Sequence, residues 1–148
     1  MIANRVVLDT NVCLDLFVFR DPRWATMLAA LKDGTIEAVT RDDCRAEWLI
    51  VLDYPHLPLD AESKARAARE FDTLISCIPS TTTAFSQARL PNCSDTDDQK
   101  FLELARDSGA AVLITKDKAL LKLAKRATRD GLFAILKPEA WGIAQTQE

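Results

Sequence analysis

The stretch Arg5-Val6-Val7-Leu8-Asp9-Thr10-Asn11 decides how this chain is read. Its apolar, β-branched run is a strand that stops at a carboxylate, with Arg5 to Asp9 as its span. Outward from it, short β-rich runs alternate with longer helical stretches. Ile36 to Thr40, Ala111 to Thr115 and Leu132 to Leu136 read as further strands, and Ile75 to Pro79 as a weaker fifth. Between them, Asp21-Pro22 opens a helix with an N-cap followed by proline at its first position, ending by Lys32 and Gly34. A helix spans about Arg41 to Asp53. Ala61 to Leu74, rich in Ala, Glu, Lys and Arg, is another. This alternation predicts an α/β fold of three layers, a mainly parallel five-stranded sheet flanked by helices. With 148 residues, 48% of them apolar, the chain is expected to form a single domain over 1–148, its polar tail after about residue 142 frayed.

In open α/β sheets ligands bind beyond the carboxyl ends of the strands, so the residues just after each strand matter most. Asp9 closes the first strand, and Asp117 follows Val112-Leu113-Ile114-Thr115-Lys116. Either aspartate alone would serve to cap the next helix; the pair is harder to explain that way. Glu47 precedes Ile50, Val51 and Tyr54 at helical spacings, which predicts a carboxylate on or beside the apolar stripe facing the sheet. A buried carboxylate needs a partner or a metal, whereas a boundary glutamate would reach water. Asp95, Asp97 and Asp98 crowd one turn ahead of Phe101, Leu102 and Ala105. The helix dipole and a capping-box-like pairing of Ser94 with Asp97 account for one or two of them. Three mutually repelling carboxylates imply a nearby cation, and Asp98 shares a face with Leu102 and Ala105, so it is expected to point inward.

The net charge of −3 disfavours a nucleic-acid partner at first sight. Setting aside Asp9, Glu47, Asp98 and Asp117 as metal-bound leaves the remainder close to neutral, so the balance is compatible with a metal-centred nuclease. Cys13, Cys44, Cys77 and Cys93 are scattered without a CxxC pair, which predicts reduced structural thiols. His56, the lone histidine, has no second histidine to share a metal with, so the chemistry is expected to run without histidine. No stretch approaches a membrane span and the N-terminus does not read as a signal peptide, which predicts a soluble, cytoplasmic protein with no membrane partner.

Taken together, Asp9-Thr10-Asn11-Val12, Arg45-Ala46-Glu47-Trp48, Asp97-Asp98-Gln99-Lys100-Phe101-Leu102-Glu103-Leu104-Ala105 and Leu113-Ile114-Thr115-Lys116-Asp117-Lys118-Ala119-Leu120-Leu121 resemble the PIN domain. The resemblance spans nearly the whole chain, which is especially similar to the toxin ribonucleases of bacterial toxin-antitoxin systems. It implies a central first strand and an acidic pocket for Mg²⁺ or Mn²⁺ in which Asp9, Glu47, Asp98 and Asp117 are the catalytic and metal-binding acids, with Asp95 a possible fifth ligand. Thr10 and Asn11 match positions that orient the first aspartate, and Thr115 a hydroxyl near the last. The segment Cys13 to Trp24 departs from relatives, which often carry a small-residue, Gly-containing loop there.

An all-oxygen, histidine-free site suits a hard ion held at about 2.0 to 2.1 Å. The expected activity is hydrolysis of RNA phosphodiester bonds by a metal-activated water, with one or two ions, in a type II toxin. Arg20, Arg23, Lys116 and Lys118 are candidates to bind substrate at the rim, or ordinary solvated charges. The apolar run Leu14 to Phe19 with Trp24 would contact an antitoxin or form a homodimer, or simply pack the core. A haloacid-dehalogenase-type phosphatase would need an acid where Asn11 stands, and a receiver domain an acid pair absent here. The remaining alternative is a PIN-fold module that binds a partner or RNA with weak or no catalysis.

Overall fold

A computed structural model describes the backbone of residues 1–146 and the side chains of residues 1–142. Its centre is strand β1 (Ile2–Leu8). The other strands are β2 (Glu37–Thr40), β3 (Ile75–Cys77), β4 (Ala110–Ile114) and β5 (Ala134–Leu136). All neighbours pair in parallel, in the order β3-β2-β1-β4-β5, with Val7 in register with both Val39 and Leu113. The helices are α1 (Thr10–Phe17), α2 (Ala25–Asp33), α3 (Asp42–Leu52), α4 (Ala61–Leu74), α5 (Gln99–Ser108), α6 (Lys118–Leu121), α7 (Ala124–Arg129) and α8 (Pro138–Thr146).

The apolar run Val6-Val7-Leu8 that ends β1 follows from burial on both faces. Val6 and Leu8 join one core with residues of α1 to α4, whereas Val7 joins a second core with α5, α6 and α7. In the first core Trp48 stacks on Phe71 with ring centroids 5.0 Å apart, and Phe17 meets both edge-on. Truncating Trp48, 1% exposed, would cost about 3–5 kcal/mol. Gly109 ends α5 at φ 69°, and a Cβ there would lie 2.6 Å from the Phe85 ring, so both backbone conformation and space demand glycine.

Several local expectations need correction. The turn after Asp21 is a 3-10 segment, Pro22–Trp24, and α2 begins only at Ala25 before ending at Gly34 with φ 81°. The buried edge of α3 is Cys44, Trp48 and Leu52, while Ile50 and Tyr54 are exposed. The aromatic cluster turns Trp48 inward, and this rotates Glu47 to the boundary rather than onto a stripe with Ile50 and Tyr54. Asp95, not Ser94, caps the 3-10 turn Thr96–Asp98, accepting from the Asp97 N–H at 3.0 Å. The chain after Trp141 continues as α8 to Thr146, and residues 147 and 148 lie outside the described part. Most of the run from Leu14 packs inward, Leu16, Phe17 and Trp24 being buried and Phe19 exposed. All four cysteines are free thiols, Cys77 exposed and the others buried. Among the described residues no helix is long and apolar enough to cross a membrane.

Candidate metal centre

The chain leaves β1 into α1 on one face of the sheet and leaves β4 into α6 and α7 on the other. Adjacent parallel strands whose connections diverge open a crevice at their carboxyl ends. Asp9 stands at the end of β1, its N–H donating to the Ile114 carbonyl at 3.0 Å, and Thr115 and Asp117 stand just past β4. The 3-10 turn before α5 brings Asp95 and Asp98 to the same place, and α3 brings Glu47 from the other side.

Asp9 and Asp117 both cap the following helices, as aspartates commonly do. Asp9 accepts from the Thr10 N–H at 2.7 Å and Asp117 from the Ala119 N–H at 2.8 Å. Capping is not all they do. The Thr115 hydroxyl donates to Asp9 Oδ2 at 2.6 Å and accepts from the Asp117 N–H at 2.9 Å, so one fully buried threonine sets the spacing of both acids. Asn11 Nδ2 lies 3.4 Å from Asp9 Oδ2, a weak contact. Thr10 orients Asp9 only through its backbone. Its hydroxyl donates instead to Glu47 Oε2, because the side chain at the first position of α1 faces α3. Glu47, half-buried, also accepts from Lys100 Nζ at 2.9 Å.

Asp98 is buried, and its Oδ2 has no hydrogen-bond partner among the described residues. One oxygen from each of Asp95, Asp98 and Asp117 lies within 4.8 Å of the others, a gathering that Asp9 and Glu47 border without joining. Burial, then the Asp117 carboxylate and the charges of Asp9 and Asp95, push Asp98 up to about 8. Burial pushes Asp9 up to about 6 against its hydrogen bonds from Thr115 and Thr10, with Glu47 and Asp117 adding to the rise. Both shifts have the same largest cause, a carboxylate taken out of water, and the neighbouring acids add to it.

The cations expected at the rim are distributed differently. Arg20 pairs with Glu70 of α4, and Arg23 pairs with Asp21 and stacks over Trp24. Lys116 pairs with the buried Asp15 at 2.7 Å, a carboxylate that also accepts from Trp24 Nε1. Lys118, next to Asp117, is exposed and has no salt-bridge partner among the described residues. The cation that does touch the acids is Lys100, which the sequence reading passed over. Its signal was there: a lysine in the first turn of a helix sits at the end of the dipole that disfavours positive charge.

A sequence comparison with known families matches residues 5–119 to the PIN domain. The chain belongs to the PIN domain family. Comparison with individually curated proteins finds no match. PIN domains are generally metal-dependent nucleases, and in this one the triad Asp95, Asp98 and Asp117 is positioned to bind a divalent ion. The donor set fits such an ion. It is all oxygen, it leaves one buried carboxylate oxygen unpartnered, and it carries a charge surplus that a hard cation would neutralise. The five-stranded, all-parallel sheet flanked by helices is consistent with a PIN domain.

Proposed function

We propose that this PIN domain is a Mg²⁺- or Mn²⁺-dependent endoribonuclease that hydrolyses RNA phosphodiester bonds, the whole 1–148 chain acting as one nuclease unit. Its ion is held by Asp9, Glu47, Asp98 and Asp117, with Asp95 as the fifth ligand. The observation that carries this reading is the buried Asp98 carboxylate, facing Asp95 and Asp117 with its proton affinity raised and its Oδ2 without a hydrogen-bond partner among the described residues. Isolated negative charge of that kind costs several kcal/mol to bury and is retained where a cation completes it.

When bound, the ion supplies a Lewis acid and lowers the pKa of a water that attacks phosphorus. The chain's own residues prepare for this. Thr115 holds the Asp9 and Asp117 carboxylates at fixed spacing, and Thr10 and Lys100 fix the two oxygens of Glu47. Burial of Asp9 and Asp98 strengthens every charge interaction made in the crevice. Lys118, exposed beside Asp117 and without a salt-bridge partner among the described residues, is the substrate-binding cation this geometry favours, while Lys116, held by Asp15, and Arg20 and Arg23, held by Glu70 and Asp21, would engage RNA only by giving up those partners.

The family resemblance further supports a cytoplasmic toxin of a type II toxin-antitoxin system, neutralised by a small antitoxin or working as a homodimer. The test is cleavage of mixed single-stranded and structured RNA by purified protein in EDTA, Mg²⁺ or Mn²⁺, beside Asp9→Asn. Metal-dependent cutting lost in the variant is expected. Folded wild type that cuts neither RNA nor DNA with any of these metals would move the function to a binding module.

A further inference from the structure

Lys100 is the only basic side chain among the described residues within salt-bridge distance of any of Asp9, Glu47, Asp95, Asp98 and Asp117. Its side chain is 18% exposed, and its ammonium lies 5.2 Å from the centre of the Phe101 ring. It sits at the second position of α5, where the helix dipole opposes positive charge, so helix stability does not account for it. Nζ donates to Glu47 Oε1 at 2.9 Å and to the Asp97 carbonyl. An ammonium has three donors, so one is left over for a ligand. The Asp97 carbonyl is one residue from Asp98, so the same contact ties the lysine to the turn that presents the metal triad.

We propose that Lys100 is a further catalytic residue of this site, a cation that binds a non-bridging oxygen of the scissile phosphate while Glu47 holds it in place; this rests on the nuclease reading above. A scissile phosphate brought to an ion held by these acids would lie near a positive charge that Glu47 and the Asp97 carbonyl keep in place. There the lysine acts as a preorganised donor to the charge that develops on the phosphoryl oxygens during attack. A cation buried against a ligand carboxylate also limits the net negative charge that the phosphate must approach, which a site made of five acids alone could not do.

The experiment compares wild type with Lys100→Met and Lys100→Arg, after thermal melts establish that each is folded. Three readouts are taken: RNA cleavage in Mn²⁺, binding of Mn²⁺ alone by calorimetry, and binding of uridine 5′-monophosphate to the Mn²⁺-loaded protein. The expected result for Lys100→Met is a fall in kcat of about a hundredfold and nucleotide binding weakened about tenfold or more. Mn²⁺ affinity should be unchanged or tighter, and arginine should restore part of both losses. Lys100→Met that cuts and binds nucleotide like wild type would overturn the proposal. So would a variant that loses Mn²⁺ binding along with both, since the lysine would then only clamp Glu47. If Mn²⁺-loaded wild type neither cuts RNA nor binds the nucleotide, the nuclease reading itself fails and the role of Lys100 falls with it.

Discussion

Two clusters of carboxylates flank α5, and they are wired in opposite ways. In one, Arg41 bonds to Asp43 at 2.7 Å and Glu103 at 3.0 Å and approaches Asp107 at 3.9 Å, with only 12% of its side chain exposed. The Asp43 and Glu103 carboxylates, against the opposing effect of burial, hold the guanidinium well above its ordinary pKa, and Asp43 is lowered by its hydrogen bond from Arg41. In the other, Asp95, Asp98 and Asp117 meet with Asp9 at their border. No salt bridge reaches any of these four among the described residues, Lys100 being taken up by Glu47, and Asp9 and Asp98 are raised. Similar numbers of acids thus give a structural clamp where an arginine sits at the centre and a candidate ion site where carboxylates face one another. What separates them is the sign of the shift, downward on Asp43 and upward on Asp9 and Asp98, not how many acids there are.

The largest expected effect comes from breaking the second cluster. Asp98→Asn should lower metal-dependent cleavage by more than about a hundredfold, since even losing a residue behind a ligand costs about 10- to 100-fold. The same change should raise Tm in EDTA, by about 2 to 4 °C for each kcal/mol of repulsion relieved. A fall in Tm would mean that the buried carboxylate is compensated after all. Thr115→Val comes next, with cleavage down about 10- to 100-fold and Thr115→Ser nearly active, because one hydroxyl spaces Asp9 and Asp117. An RNA cleavage assay of the pair, with melts to check folding, decides this.

Breaking the first cluster should affect stability alone. Arg41→Ala leaves three partly exposed acids facing each other, and solvent screening holds the loss to about 1–2 kcal/mol, or roughly 3 to 6 °C in Tm. Its Mn²⁺ affinity, read by calorimetry, should match wild type. A last effect is pH-dependent. The folded protein holds protons on Asp98 up to about 8 and on Asp9 up to about 6, whereas an ordinary aspartate releases its proton near 3.8. The native state therefore binds more protons than the unfolded chain between about pH 4 and 8, and these two groups make stability in EDTA decline as pH rises through that window. Excess Mn²⁺ should stabilise more at pH 8 than at pH 5, because the ligands must be deprotonated. Melting curves at the two pH values, with and without Mn²⁺, test it; equal metal shifts would remove the charge surplus from the account.

The strands were legible because each apolar run has a length and composition that suit a doubly covered parallel strand, and Ala61–Leu74 because it is rich in helix formers. The inward turn of Asp98 followed from helical spacing with Leu102 and Ala105. Glu47 was read less well. Three apolar residues followed it at helical intervals, yet Trp48 packs with Phe17 and Phe71 and takes the buried side. One-dimensional periodicity counts apolar residues equally, whereas packing is governed by the largest ring that finds a partner.

By itself, then, the sequence determined the order of elements, the parallel sheet around β1 and the acids that follow the strands, because these depend on local periodicity and on the ends of apolar runs. Only tertiary structure decided which oxygens face each other and which cations go elsewhere. Thr115 meets Asp9 across 106 positions and Lys100 meets Glu47 across 53. Such pairings are created by strand order and helix rotation, and no local pattern encodes them. Charge compensation is a property of distances in space, so the difference between the Arg41 clamp and the open acid crevice exists only in the folded molecule.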